Sequence, residues 1–165
     1  MQAMIVRPMA ADDWEEGFQL RLRALADDPD SFRRTLEEER TRAAQWEEAV
    51  SGSAAAPDRE GWLAEIDGLP MGQAFSRLSE DGSTVHVFAM WVAPEARGRG
   101  VGRALLDAAE AWGRDRGAGR GYLAVTAGNE AAERLYGHAG YEPTGDCEPL
   151  REGSDLQCVW MAKEI

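Results

Sequence analysis

The sequence predicts an α/β fold, in which helices cover both faces of a mixed sheet. Segments with the alternating pattern of strands are interspersed with segments whose apolar residues recur every three or four positions, as in amphipathic helices. The resulting element order is β-α-α-β-β-β-α-β-α-β-β, which is typical of helices and strands packed in layers around a core. We expect a single domain over residues 1–165.

The composition limits which partners the protein has. Its 165 residues are 44% hydrophobic, which suits one core, and carry 30 acidic against 18 basic side chains for a net charge of −12. Because nucleic-acid binding needs clustered basic groups, this balance argues against a nucleic-acid partner. No apolar run approaches the ~20 residues that cross a bilayer, and the first residues have no signal-peptide pattern. We expect a cytoplasmic protein without a membrane partner.

The two cysteines, Cys147 and Cys158, are too few for a disulfide scaffold and match no metal-ligand spacing. We expect two free thiols and no metal. A bridge between them requires that the two flanking segments pair as strands.

The N-terminal third predicts one strand and two helices. Residues 4–7 have the pattern of a short strand. Asp12 or Asp13 is placed to cap a first helix that ends at Asp28-Pro29-Asp30 and carries on its apolar face Trp14, Phe18, Leu22 and Leu25. A second helix is expected over residues 32–50, and the small residues at 51–57 predict a flexible surface loop.

The central region predicts three strands. Residues 62–66 and 71–78 form a hairpin across Asp67-Gly68-Leu69-Pro70. The next strand, residues 84–92, is apolar on both alternating faces, so we expect it to be buried on both sides. One face carries Val85, Val87, Ala89 and Trp91, and the other carries Phe88, Met90 and Val92. His86 is the only ionisable residue of this strand.

The C-terminal region alternates helices with strands. Residues 101–112 have the pattern of an amphipathic helix, which Gly117 and Gly119 terminate. A short buried strand follows at 122–125. A helix is then expected over residues 129–138, with four residues facing the core: Ala132, Leu135, Tyr136 and Ala139. Two strands, near 141–144 and 156–163, close the chain.

The most informative segment, Arg97-Gly98-Arg99-Gly100-Val101-Gly102-Arg103, lies between a buried strand and a helix start. Glycines let the backbone approach a ligand closely, and the N–H groups of the first helical turn lack intrahelical acceptors. Together with the helix dipole they form a site suited to phosphate. Three arginines with no acid among them make a positive island in an acidic chain. The spacing matches neither a P-loop nor the dinucleotide fingerprint.

Two motifs together resemble the GCN5-related N-acetyltransferase (GNAT) family. The first is Arg97-x-x-Gly100-x-Gly102, which follows the strand Met90-Trp91-Val92 and Pro94. The second is Asn129-x-x-Ala132-x-x-Leu135-Tyr136, which is followed by Gly140-Tyr141. They cover residues 84–143 in the family's order. The resemblance implies a GNAT-like mixed, mostly antiparallel sheet of six to seven strands, and an acetyl-CoA-dependent transfer of an acetyl group to a primary amine in a ternary complex.

The resemblance also implies a set of site residues. The main chain of Met90, Trp91 and Val92 would pair with the pantetheine arm of acetyl-CoA, and Asn129 would hydrogen-bond that arm. The pyrophosphate would be wrapped by the N–H groups of Arg97, Gly98, Arg99, Gly100, Val101, Gly102 and Arg103. Whether the side chains of Arg97 and Arg99 point at the phosphates is left open. Tyr136 would protonate the departing thiolate.

The reaction needs two further groups. A backbone N–H at Met90 or Val92 is placed to stabilise negative charge on the thioester oxygen. A base must take a proton from the amine, and His86 lies where some family members carry a catalytic Glu. A water molecule or another carboxylate is left open as the alternative base.

The acceptor is expected to be a cationic small-molecule or protein amine, such as a polyamine or an aminoglycoside. The first 60 residues carry 14 Asp and Glu against 8 Arg, and this negative field would attract cations. The alternative function is a CoA-binding regulatory or sensing module without transfer activity. A homodimer is left open because dimers are frequent in the resembled family.

Overall fold

Seven strands form one mixed sheet in the computed structural model, which describes residues 3–165. The strands are β1 (Met4–Pro8), β2 (Arg59–Ile66), β3 (Leu69–Leu78), β4 (Thr84–Val92), β5 (Arg120–Thr126), β6 (Glu142–Pro149) and β7 (Gln157–Glu164). The helices are α1 (Trp14–Asp27), α2 (Leu36–Arg40), α3 (Ala43–Ala55), α4 (Val101–Asp115) and α5 (Glu130–His138). The predicted mixed, mostly antiparallel sheet is confirmed. That residues 1–165 form a single domain stays a prediction.

The strand order is β1-β2-β3-β4-β5-β7-β6, and every neighbouring pair is antiparallel except β4 and β5. These two parallel strands pair only over Thr84–His86 and Arg120–Tyr122. Beyond His86 they separate, so the sheet opens in its middle. No helix within residues 3–165 is long and apolar enough to cross a membrane.

Two apolar layers cover the sheet, one on each face. On one face α4 and α5 bury Leu105, Ala109 and Tyr136 against the sheet. On the other face α1 and α3 bury Leu25 and Val50. The predicted helices on both faces are therefore confirmed.

A β-bulge in β4 changes which face its side chains reach. The pairing of β3 with β4 shifts register between Gln73 and Phe75, and Ala89 opposite this shift has a left-handed φ of 52°. Val85 packs under α4, whereas Trp91 packs under α1. The expectation that Trp91 shares a face with Val85 is wrong, because the extra residue of the bulge reverses the alternation.

The prediction that β4 is buried on both sides is also only partly correct. Val85 and Val87 are buried, but Phe88 on the opposite face is 37% exposed. The strand is therefore covered fully under α4 and incompletely on its other face.

The predicted second helix over residues 32–50 is wrong, because the chain forms two shorter helices there. Phe32 is extended, and α2 begins only after Thr35. Thr35 and Glu38 form a capping box: the Thr35 hydroxyl accepts from the Glu38 N–H at 3.3 Å, and the Glu38 carboxylate accepts from the Thr35 N–H at 2.9 Å. The predicted loop at 51–57 is also wrong over its first part, because α3 continues to Ala55.

The start of α1 differs from the expected cap. A short 3₁₀ turn (Ala11–Asp13) precedes the helix, and Asp13 makes no side-chain hydrogen bond to its first turn. Its carboxylate instead accepts from Arg7 at 2.7 Å and from the Ala10 N–H at 2.7 Å. Asp13 therefore ties β1 to the turn rather than capping α1.

The cysteines are both free, as predicted. β6 and β7 do pair as strands, but Cys147 lies opposite Val159 and Cys158 lies opposite Glu148. Because neighbouring residues of a strand point to opposite faces, the two thiols lie on different sides of the sheet. This register provides no geometry for a bridge.

Candidate active site

A cavity of about 450 Å³ occupies the gap between β4 and β5. Its walls come from residues 87–92 of β4, the glycine-rich loop at the start of α4, the end of β5 and the first half of α5. The turn at residues 28–32, after α1, closes one side. The two sequence motifs, which lie about 30 residues apart in the chain, thus face one space.

The glycine-rich loop needs glycine for two different reasons. Gly98 and Gly100 have left-handed φ angles of 75° and 83°, and a Cβ at either position would meet open space. Gly100 is the N-cap of α4, so the loop enters the helix through a conformation that favours glycine. At Gly102 a Cβ would lie 3.0 Å from Leu135, which shows that this glycine lets α4 and α5 pack closely. The first N–H groups of α4 are left at the cavity, as an anion site requires.

The predicted positive island is partly neutralised by two acids, of which one is distant in the sequence and one lies in α4. Arg97 forms a salt bridge with Asp27 of α1 at 2.7 Å and donates from Nε to the Val92 carbonyl at 3.0 Å. Arg103 pairs with Asp107 at 2.9 Å, one helical turn further along α4. The side chain of Arg97 is therefore used to hold the loop against α1 and β4.

Arg99 is the exception among the three arginines. It is exposed, and no carboxylate within residues 3–165 lies at salt-bridge distance from it. Most of the free positive charge of the loop is therefore at Arg99.

The edge of β4 presents main-chain groups to the cavity. The Ala93 N–H donates to the Met71 carbonyl of β3 at 2.7 Å. Because main-chain groups alternate in direction along a strand, those of Val92 point away from β3 and toward the gap. Arg97 takes the Val92 carbonyl, which leaves the Val92 N–H for a ligand. Trp91 alternates with Val92 and directs its main chain to β3, and its buried indole donates to Asp27 at 3.2 Å.

Tyr136 lies in the cavity wall on α5. Its side chain is buried, and its phenol oxygen is 3.8 Å from the sulfur of Met90, a weak acceptor. Burial raises the pKa of Tyr136 to about 12. The phenol is therefore protonated at neutral pH and can donate a proton or a hydrogen bond into the cavity.

Asn129 is the N-cap of α5, and its side chain joins two parts of the site. Its Oδ1 accepts from the Ala132 N–H at 3.2 Å, and its Nδ2 donates to the Ser31 hydroxyl at 3.2 Å. One N–H of this amide group remains for a ligand, since Nδ2 carries two hydrogens.

His86 lies elsewhere. Its ring packs among aromatic rings on the sheet face that α4 does not cover, with centroid distances of 5.2 Å to Phe88, 5.5 Å to Trp160 and 6.2 Å to Tyr122. It is not among the residues that line the cavity. Burial, and then the nearby charges of two arginines, lowers the pKa of His86 to about 4, so its imidazole is neutral but weakly basic. A base role for His86 stays a prediction.

The turn after α1 is a part of the site that the sequence did not predict. The sequence pattern indicates only that a helix ends at Asp28, whereas Asp28, Ser31 and Phe32 all line the cavity. No local pattern signals this, because the turn reaches the site through contacts with residues about 100 positions away. Among residues 3–165 no group of three or more His, Cys, Asp or Glu side chains is placed to hold a metal ion.

A sheet opened between two parallel strands, with a glycine-rich helix start at one end of the gap, defines an α/β protein with a cavity suited to an anionic ligand. The chain belongs to the acetyltransferase (GNAT) family, whose model matches residues 20–141. The resemblance drawn from the two motifs is therefore confirmed.

Relatives and solved structures agree with this assignment. A mycothiol acetyltransferase of Beutenbergia cavernae is 35% identical over 125 residues, which are 75% of this chain and 39% of that protein. The chain thus spans well under half of this curated relative's length. A GNAT-family acetyltransferase of Streptococcus pneumoniae superposes with a TM-score of 0.84 at 20% identity, over 99% of this chain and 100% of that one.

A third comparison concerns a structure with its cofactor. YncA of Salmonella typhimurium, a structure solved with acetyl-CoA, superposes with a TM-score of 0.75 at 23% identity. The superposition covers 98% of this chain and 94% of YncA. At these identities the two structures show a shared fold.

Proposed function

We propose that this protein is an acetyl-CoA-dependent N-acetyltransferase that moves an acetyl group to a primary amine by direct attack in a ternary complex. The observation that carries the proposal is that the start of α4, which is suited to anions, and the buried Tyr136 line the same cavity between β4 and β5. Membership of an acetyltransferase family, and a structural neighbour solved with acetyl-CoA, support it.

The residues present fit the cofactor along the length of the cavity. The N–H groups at the start of α4 suit the pyrophosphate. Arg99, which is exposed and does not line the cavity, adds a positive charge nearby. The Val92 N–H and the remaining N–H of Asn129 suit the amide groups of the pantetheine arm. When bound, acetyl-CoA supplies an activated acetyl thioester.

The chain's own groups then act on charge and protons. The amine nitrogen would bond to the acetyl carbon as the carbon–sulfur bond breaks. The phenol of Tyr136 would give its proton to the departing sulfur, and the resulting phenolate would regain a proton from solvent. A main-chain N–H of β4, at Met90 or Val92, stabilises negative charge on the acetyl oxygen, a contribution worth roughly 3–4 kcal/mol in other enzymes. The amine loses a proton to a base, for which His86, a water molecule and another carboxylate are the candidates.

The acceptor we propose is a cationic small-molecule or protein amine. The net charge of −12 supports this choice, because an acidic surface concentrates cations near the protein. A cytoplasmic location and a homodimer stay predictions.

The test is a panel of primary amines supplied with acetyl-CoA, in which thiol release and the acetylated product are both measured. Release that depends on the amine supports the enzyme. Stabilisation by acetyl-CoA in a thermal melt, with no thiol release for any amine, would instead favour the CoA-binding module. Tyr136→Phe in the same assay connects any release to the described cavity.

A further inference from the structure

The cavity contains one carboxylate whose charge the protein does not neutralise. We propose that Asp28 binds a second cationic group of the acceptor, so that the enzyme prefers amines carrying another positive charge. This inference rests on the proposed acetyl transfer and adds the class of acceptor.

Asp28 differs from the other acids near the site. Of the cavity-lining residues it is the only Asp or Glu. Its Oδ2 accepts from the Ser31 hydroxyl at 2.5 Å, and no cationic side chain within residues 3–165 lies at salt-bridge distance from it. Its neighbour Asp27, by contrast, is engaged by Arg97. The negative charge of Asp28 is therefore available to a ligand.

The turn that carries Asp28 is held in place from two sides. Ser31 accepts from Asn129, and the Thr126 hydroxyl donates to the Asp30 carbonyl at 2.6 Å, which ties the turn to β5 and α5. Arg151, from the connection between β6 and β7, donates to the Pro29 and Phe32 carbonyls, each at 2.8 Å. A carboxylate held in this way loses little conformational entropy when it binds a cation.

The other charged groups near the turn are paired within the protein or lie outside the cavity, so Asp28 is the charged group of the turn that faces a ligand. Arg151 is bound to main-chain carbonyls, and Arg33 is paired with Glu148 at 2.6 Å. The carboxylate of Asp30 belongs to an exposed residue outside the cavity wall. The cavity therefore has opposite charges in its wall, with the α4 start suited to phosphates and Asp28 suited to an ammonium group.

The chemistry of the attack determines which ammonium group Asp28 holds. The reacting nitrogen must be neutral to attack, and a nearby carboxylate favours its protonated form. Asp28 is therefore better suited to a second, non-reacting cation of the same acceptor. A diamine, a polyamine or an amino sugar with several amino groups has the required chemistry.

The test compares butane-1,4-diamine with butylamine, which lacks the second charge. In Asp28→Asn the side chain keeps its size and an oxygen that accepts from Ser31, but loses its charge. We expect the KM for the diamine to rise roughly tenfold or more with kcat nearly unchanged, because hydrogen bonds to charged groups are worth about 1.5–3 kcal/mol. The loss with butylamine should be much smaller, because butylamine has no second ammonium group for Asp28 to hold. Asp30→Asn, in the same turn but outside the cavity, is the matched control.

A binding measurement separates this inference from the proposed function. Calorimetric titration of butane-1,4-diamine into the protein saturated with CoA should show binding to the wild type that Asp28→Asn weakens about tenfold. If the wild type acetylates no amine of the panel, the proposed function fails, and the binding measurement still tests the role of Asp28. Equal losses for both amines, or diamine binding and KM that Asp28→Asn leaves unchanged, would overturn the inference.

Discussion

Removing the phenol oxygen of Tyr136 is the most direct perturbation of the proposed chemistry. Tyr136→Phe keeps the ring in its buried place between α5 and β4, and deletes one oxygen whose described contact is the Met90 sulfur at 3.8 Å. Because sulfur is a weak acceptor, the free energy of unfolding should change by less than about 1 kcal/mol. If the phenol protonates the departing sulfur, kcat should fall by about 10²- to 10⁴-fold.

The raised pKa of Tyr136 adds a pH criterion. With a pKa of about 12, the phenol stays protonated throughout the range in which enzymes are usually assayed. The wild-type rate should therefore show no loss from titration of Tyr136 between about pH 6 and 10. An ordinary tyrosine, with a pKa near 10, would already be about half ionised at the upper limit.

The assay is thiol release at saturating acetyl-CoA and amine, with a thermal melt of each variant. Tyr141→Phe is the control, since Tyr141 is also buried, has its ring 6.2 Å from that of Tyr136 and does not line the cavity. The control should keep the wild-type kcat. An unchanged kcat in Tyr136→Phe, or an equal loss in both variants, would refute the role assigned to Tyr136.

Two further predictions concern buried ionisable groups. Lys163→Met should lower the free energy of unfolding by about 3–5 kcal/mol, because Glu110 is 2% exposed and would lose the ammonium group 2.5 Å from its carboxylate. Urea denaturation measures the free energy of unfolding, and the surface variant Arg59→Met should lower it by less than about 1 kcal/mol. Similar losses in both variants would contradict the role of the buried pair. Burial lowers the pKa of His86 to about 4, against 6.5 in the unfolded chain, so the unfolded chain binds the proton more readily. The free energy of unfolding therefore has its full value above about pH 6.5 and decreases as the pH falls toward 4. His86→Gln should therefore reduce by about 2.5 kcal/mol the change in unfolding free energy between about pH 7.5 and pH 4.5, measured by denaturation. A change of the same size in His138→Gln, at an exposed site, would count against burial as the cause.

Elements with strong local signals were predictable from the sequence. The helix α4 combines a long apolar period with a glycine start, and β4 combines an apolar run with turns at both ends, so their positions agree with the structure. The break in the second helix also has a local signal, because Thr35 and Glu38 have the spacing of a capping box. An element can be predicted from the sequence when the residues that determine it are neighbours in the chain.

Other features depend on residues that are distant in the chain. The pairing of Arg97 with Asp27, and the anchoring of the Asp28 turn by Asn129 and Thr126, join residues that are 70 to 98 positions apart in the chain. The bulge at Ala89 has no residue signature either, because left-handed φ angles usually mark glycine or asparagine. The motifs thus indicated the loop and α5, but not the turn that completes the cavity or the direction of Arg97.

The bulge at Ala89 fits four residues of β4, from Phe88 to Trp91, against three residues of β3. Because of this extra residue, Phe88 and Trp91 share a face of the sheet although they are three positions apart. Deleting Ala89 would leave them two positions apart, so plain alternation would keep Trp91 in the α1 layer and the Val92 N–H directed at the gap. What the deletion would remove is the bend that a bulge gives its strand, close to the point where β4 separates from β5. The width of the ligand-binding gap should therefore depend on the bulge, whereas the faces that β4 presents do not.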